Sequence, residues 1–445
     1  MHYFSTNRSG EKVGFREATL RGQPDDKGLY FPESVTPLPN DLISRLPEMS
    51  NADIAFEVIK PYVGDAIDDD SLSRICAETV DFEFPLVSIN DRISALELFH
   101  GPTLAFKDVG ARFMSRCLRH FGSDRKTVVL VATSGDTGGA VAAGFHGVDG
   151  IDVVILYPKG KVSRVQELQL TTLGGNVTAI EVDGVFDDCQ AMAKAALSDK
   201  EIQDKVFLTS ANSINVARWL PQQFYYFFAL KQWRGDPPVF CVPSGNFGNI
   251  CAGLLAHASG MPAAGFIAAC NANAAVPDFL RTGNYEPKPA IATLSNAMDI
   301  GEPSNFVRLI EIFAGGMHKP AREQGRSDQA GGNALADARA SALETLSAVS
   351  ITDEETIATM KAVYETTGYM LDPHGAVGYK ALDDSGRSGI FLETAHPVKF
   401  DSVKDILGTF GEVPQSIADL EGKAKQAIEI GVDFDAVREV ILSKV

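Results

Sequence analysis

The chain has 445 residues, room for two or three domains at roughly 100–200 residues each, and 45% of them are hydrophobic, enough to bury large cores. Charged residues make up 22%, and the formal net charge is −18. That acidic balance excludes a nucleic-acid partner held through its phosphates, and an anionic substrate would need its own local set of positive groups.

The first 95 residues show a weak pattern and read as a separate N-terminal region containing the turn-rich string GLYFP at 28–32. From about residue 126 the pattern becomes regular. The run TVVLVA at 127–132 is a strand, followed by TSGDTGGA and a small-residue helix. The next strands are expected at 151–157, 176–182 and 206–209, with helices at 162–173, 187–197 and 219–233 between and after them. The run VFCV at 239–242 is followed by SGNFGN and a helix at 250–258, and 266–270 is strand-like again. Continuous apolar strands alternating with helices imply parallel sheets covered on both faces, a doubly wound α/β architecture. Ligands in such sheets bind beyond the carboxyl ends of the strands, where the Gly-rich stretches fall. The polar, Ala/Gly-rich stretch 319–345 is expected to be a surface loop and helix. There is no internal repeat.

The six cysteines, Cys76, Cys117, Cys189, Cys241, Cys251 and Cys270, form no CxxC pair and are expected to be reduced core residues. No His/Cys cluster has metal-ligand spacing, so no metal is expected. The N-terminal residues lack the apolar core of a signal peptide, and no apolar run approaches the ~18 residues that span a bilayer. A cytoplasmic location without membrane attachment is the expectation.

Four segments carry candidate chemistry. In HGPTLAFKD at 100–108, Lys107 opens a helix whose apolar positions Val109, Phe113, Cys117 and Phe121 are spaced i, i+4. The positive end of the helix dipole and the apolar Leu104 and Phe106 disfavour its charged form, as a nucleophilic amine requires. On local spacing alone a solvated lysine at a helix start is the commoner reading. SGNFGN at 244–249 offers glycines, backbone amides and a helix N-terminus to a phosphate, or is an ordinary strand–helix turn. TSGDTGG at 133–139 is a second anion-accepting loop, in which Asp136 is out of place unless it caps the helix. ANSINVAR at 211–218 gathers Asn212, Ser213, Asn215 and Arg218, a donor set that suits a phosphate monoester. Lys159 and Lys161 nearby are either helpers or solvated loop charges.

The order of these motifs is more specific than any one of them. GLYFP, FHGPTLAFKD, SGDTGG, NSINVAR, SGNFGN, DPHGAVG and ETAHPVKF follow one another between residues 3 and 400. In this the chain resembles the threonine synthase family, of the longer class with an extended N-terminal region. The resemblance implies the tryptophan-synthase-β-like, type II fold of pyridoxal-phosphate enzymes. Two doubly wound α/β domains are expected, with approximate boundaries and a chain free to cross between them: 96–235, the smaller, with the lysine and substrate loops, and 236–445, the larger, with the cofactor-phosphate loop. They would follow an N-terminal region at 1–95. It implies that Lys107 carries pyridoxal 5′-phosphate as a Schiff base. Gly245, Asn246, Phe247 and Asn249 would hold the cofactor phosphate, and Thr394 the pyridine nitrogen. Ser134, Gly135, Asp136 and Thr137 would face the substrate carboxylate or cofactor ring. Asn212, Ser213, Asn215, Arg218 and Lys161 would hold the substrate phosphate. Shorter members of the family tend to carry Asn where Asp136 stands. The implied reaction converts O-phospho-L-homoserine and water to L-threonine and phosphate. A phospholyase releasing a 2-oxo acid and ammonia, and a non-catalytic paralogue, are the alternatives.

Overall fold

The β-branched runs become the central strands of two sheets in a computed structural model that describes residues 1–123, 125–314 and 334–445. A five-stranded sheet carries Thr127–Ala132, Ile151–Pro158, Val177–Val182, Phe207–Ser210 and Ala427–Ile430, all parallel. A six-stranded sheet carries Leu346–Ser350, Gly265–Cys270, Val239–Pro243, Gly389–Glu393 and Ile93–Glu97 in parallel, with Leu86–Ser88 antiparallel at one edge. The central strands are buried along their length, as parallel strands with helices on both faces must be.

The expected strands between 127 and 270 lie within a residue or two of the observed ones. The helix expected at 219–233 is broken. Val216–Trp219 gives way to a 3-10 turn at Leu220–Gln223, and the α-helix resumes at Phe224–Gln232. Pro221 lacks an N–H and cannot carry a regular helix through that point. Of the stretch 319–345, the helix Ala334–Ala342 is described, whereas 319–333 lies outside the described residues.

The sheets also depart from the expected domain boundaries. Ile93–Glu97 runs across the 95/96 division and belongs to the six-stranded sheet, paired with Gly389–Glu393. Ala427–Ile430, far into the 236–445 segment, pairs with Val177–Val182 and forms one edge of the other sheet. The chain therefore leaves the six-stranded sheet for the five-stranded one and returns. It then finishes on the five-stranded one, because an edge strand leaves a row of unpaired backbone groups that a late strand can satisfy.

The N-terminal region adds the small antiparallel sheet of His2–Ser5, Val13–Gly14 and Tyr30–Pro32. Its aromatics dock on the main body: Phe31 lies 5.6 Å from Trp219 and Phe15 lies 6.4 Å from Phe113, centroid to centroid. Within this region Gly28 lets the chain pass close to the first strand, since a Cβ there would sit 2.2 Å from Ser5 Oγ and 2.9 Å from the Asn7 nitrogen. All six cysteines are free and buried. Among the described residues no helix is long and apolar enough to cross a membrane.

Candidate active site

The loop after Ile93–Glu97 is folded back on itself before it delivers Lys107. Asp108 accepts the Thr103 amide at 2.9 Å and the Thr103 hydroxyl at 2.6 Å, closing the turn. Leu104 takes a left-handed conformation, φ 57°. The loop is stitched to the segment after Gly389–Glu393: the Phe106 amide donates to Thr394 O at 2.9 Å and the His396 amide to Leu104 O at 3.0 Å. The Tyr225 hydroxyl donates to the Phe106 carbonyl. Lys107 is then the first residue of the helix Lys107–Phe121. Its partly buried amine is pulled from the ordinary lysine value of 10.5 to about 8, first by desolvation. Arg218 and Lys399 push the same way, and Asp136 opposes them.

SGNFGN follows Val239–Pro243 and opens the helix Gly248–Ala258. The amides of Gly245, Asn246, Phe247, Gly248 and Asn249 donate to no protein acceptor among the described residues. Phe247 is left-handed, φ 60°, which turns the loop onto the helix end. A Cβ on Gly245 would lie 2.5 Å from the Met298 Cα, so only glycine leaves the loop its path. A string of unused amides at a helix N-terminus is the donor set a phosphate dianion takes. The residues present thus fit a phosphate-bearing cofactor, and the Lys107 amine is one whose charged form burial disfavours. Thr394 is buried and its hydroxyl makes no hydrogen bond to protein among the described residues.

The other two loops meet these. Asn246 Nδ2 donates to Ser213 Oγ at 2.8 Å, and Asn212 Nδ2 donates to Ala132 O at 3.0 Å. Arg308 fixes the same loop from behind by donating to Ser213 O and Ile214 O at 2.9 and 2.6 Å. Arg218 is buried, donates to the Ala211 carbonyl, and keeps its Nε without a partner. Burial lowers its pKa to about 10. Ser134 and Thr137 are partly buried, with hydroxyls that make no hydrogen bond to protein among the described residues.

Several expected roles change. Asn215 is fully buried: its Nδ2 donates to Thr19 O and Ser210 O, and its Oδ1 caps the Ala217 amide. It braces the loop against the N-terminal region and has no group left for a ligand. Lys161 is exposed and its side chain makes no hydrogen bond or ion pair among the described residues, and Lys159 is paired with Glu429 at 2.7 Å. Asp136 does not cap its helix. Thr133 Oγ1 takes that work, accepting the Gly135 and Gly138 amides at 2.9 Å each. Asp136 is instead paired with Lys399.

The sequence reading did not name Lys399, Gln166, Tyr225, Tyr226, Asn305 or Glu393. Tyr226 donates to Asn249 and Asn305 donates to the Asn246 carbonyl, so both brace the phosphate-type loop. Glu393 is buried, and burial together with neighbouring Asp372 holds its carboxyl well above the usual range. Lys399 had a readable signal: a carboxylate inside an anion-accepting loop calls for a counter-charge, and ETAHPVKF holds one.

The chain is similar along its whole length to known proteins. The family model "Pyridoxal-phosphate dependent enzyme" matches residues 89–393, "Threonine synthase N terminus" matches 2–80, and "Threonine synthase, C-terminal" matches 375–441. The chain is 40% identical to the threonine synthase of Haemophilus influenzae, covering 99% of this chain and all of that one. It is 39% identical to that of Escherichia coli, covering 100% of both. The crystal structure of the Escherichia coli threonine synthase superimposes with a TM-score of 0.89 at 38% identity, covering all of both chains. A PLP-bound threonine synthase from Brucella melitensis gives 0.90 at 34%, covering 100% of this chain and 99% of that one.

Proposed function

Because this chain belongs to the threonine synthase family of pyridoxal-phosphate-dependent enzymes, we propose that it converts O-phospho-L-homoserine and water to L-threonine and phosphate, with pyridoxal 5′-phosphate carried on Lys107. The observation that carries the substrate reading is the contact between Asn246 and Ser213, which sets two anion-type loops side by side. One suits the cofactor phosphate, through Gly245, Asn246, Phe247 and Asn249. The other, Asn212, Ser213 and Arg218, suits a second phosphate, which a dehydratase of unphosphorylated substrates would not need. Thr394 presents a neutral hydroxyl for the pyridine nitrogen. A cytoplasmic location accompanies this reading, supported by six unpaired, buried thiols.

The bound cofactor supplies an electron sink for carbanions at the substrate. The chain supplies the rest. Ser134 and Thr137 offer hydroxyls, and the Gly135 turn offers backbone, to the substrate carboxylate. Arg218 and the Asn212–Ser213 pair orient the substrate phosphate, which leaves from Cγ. The Lys107 amine would take the Cα proton, pass it on to the conjugated system that the bound cofactor supplies, and, free again, take a Cβ proton; Cγ regains a proton once phosphate has left. A base titrating near 8 is well matched to that task near neutral pH, because a useful fraction is unprotonated and still basic. Water adds at Cβ.

The test is a product assay with O-phospho-L-homoserine that measures threonine, 2-oxobutanoate and phosphate together. Equal threonine and phosphate support the reading. Phosphate matched by 2-oxobutanoate and ammonia would make the chain a phospholyase, and no phosphate at all would refute both.

A further inference from the structure

Asp136 stands in a loop whose other groups suit an anion, and on the reading above the substrate carries both a carboxylate and a phosphate. A bare carboxylate there would repel it. Lys399 Nζ lies 2.8 Å from Asp136 Oδ1, and the two side chains are 0% and 4% exposed. The same ammonium donates to Thr103 O at 2.8 Å, and Gln166 Nε2 donates to Asp136 Oδ1 at 3.0 Å. Gln169 Nε2 donates to that Thr103 carbonyl as well, at 3.0 Å.

This pair crosses between the two sheets. Asp136 and Gln166 belong to elements of the five-stranded sheet, following Thr127–Ala132 and Ile151–Pro158. Thr103 and Lys399 lie in segments that follow Ile93–Glu97 and Gly389–Glu393 of the six-stranded sheet. Thr103 in turn holds Asp108, next to Lys107. Ionised groups bear on Lys107 from every side: Asp136 favours its charged form, while Arg218 and Lys399 disfavour it. Asp108 faces Arg218 and Lys399. Lys399 also bears on His396, which burial lowers to about 4 and so keeps neutral. Without Lys399, Asp136 would be an unmatched buried charge directed at the lysine and at the incoming anion.

We propose that Lys399 is a positioning residue: its ammonium neutralises Asp136 and ties the Thr133–Gly139 loop to the Thr103 turn, so that the substrate carboxylate meets a neutral pair beside Lys107. This rests on the reading of the substrate as a phosphorylated amino acid.

The experiment compares wild type, Lys399→Met, Asp136→Asn and the double variant Lys399→Met/Asp136→Asn. Three quantities are read: KM and kcat for O-phospho-L-homoserine, the pH midpoint of the visible absorbance of the lysine-bound cofactor, and thermal unfolding of the cofactor-free protein. Lys399→Met should raise KM at least about ten-fold, with a smaller change in kcat, because it exposes the substrate anion to an unmatched charge. The absorbance midpoint should rise, since Asp136 then favours the protonated state with only Arg218 left to oppose it, and the cofactor-free protein should melt lower. The double variant buries no charge, so it should fold, recover most of the KM and return the midpoint toward wild type. Asp136→Asn alone should shift the midpoint down. Should Lys399→Met fail to fold, the midpoints of the other two variants decide. A double variant as impaired in KM as Lys399→Met, or midpoints that do not move in opposite directions for the two single changes, would overturn the proposal. If wild type makes no threonine, the substrate reading falls, and the midpoints and unfolding still judge the pair.

Discussion

Gly245→Ala isolates the loop assigned to the cofactor phosphate. The new Cβ would lie 2.5 Å from Met298 Cα and 3.1 Å from its carbonyl carbon and oxygen. Carbon atoms rest at about 3.5–4.0 Å, so loop or neighbour must give by roughly 1 Å. Neither side yields easily. Met298 is buried and ends the short turn Asn296–Met298. That turn is anchored by the Ala297 amide on His374 Nε2 at 3.2 Å, and by Asn271 on Ser295 and Asp299. Forcing an extra carbon into packed surroundings costs about 1–3 kcal/mol. If the amide loop absorbs it, cofactor affinity falls by about 5- to 150-fold at 1.4 kcal/mol per decade. Gly248→Ala is the internal control: its Cβ would meet Asn305 Nδ2 at 3.4 Å and Ser213 Cβ at 3.6 Å, ordinary contacts. Absorbance-detected titration of the cofactor-free protein with pyridoxal phosphate, with a thermal scan of each variant, reads both effects. Wild-type affinity in Gly245→Ala, or equal loss of stability in the two variants, would refute the assignment of this loop.

Arg218→Ala should lower kcat/KM for O-phospho-L-homoserine by about ten- to over a hundred-fold, the value of a charged hydrogen bond, while cofactor absorbance stays normal. Residual turnover of homoserine, which has no phosphate to lose, should be nearly indifferent; equal impairment with both substrates would make Arg218 structural. Asn215→Ala should act on stability instead, costing about 1–3 kcal/mol by orphaning the Thr19 and Ser210 carbonyls, and a denaturant melt showing no loss would contradict its bracing role. In the cofactor-free protein the Lys107 amine should react with an amine-specific reagent with a midpoint near 8. Arg218→Ala should raise that midpoint by removing a like charge, and a midpoint at the ordinary 10.5 would remove the case for a poised base.

The parallel strands were legible because burial on both faces leaves continuous runs such as TVVLVA and VFCV, and Lys107 because the helix after it keeps an i, i+4 apolar stripe. Leu346–Ser350 and Ala427–Ile430 were not, because both are edge strands exposed along much of their length and so lack a continuous apolar run; Gly389–Glu393 is buried throughout and was missed all the same. Roles set by distant contacts were equally hidden. Asn215 has the composition of a ligand, yet its amide is consumed by Thr19, 196 residues away in the chain. Asp136 has the look of a cap, but a better-placed Thr133 hydroxyl takes the amides and Lys399 takes the charge. Local pattern reveals which groups are available; only packing decides which of them remain free.

The central claim is that this chain breaks a carbon–oxygen bond at Cγ and makes a new one at Cβ. Turnover of O-phospho-L-homoserine in ¹⁸O-water, followed by mass spectrometry of both products, tests it directly. Carbon–oxygen cleavage leaves the bridging oxygen on phosphate, so the label should appear in the threonine hydroxyl and be absent from the phosphate. Labelled phosphate accompanied by unlabelled homoserine would mean cleavage at phosphorus, and the account would be wrong.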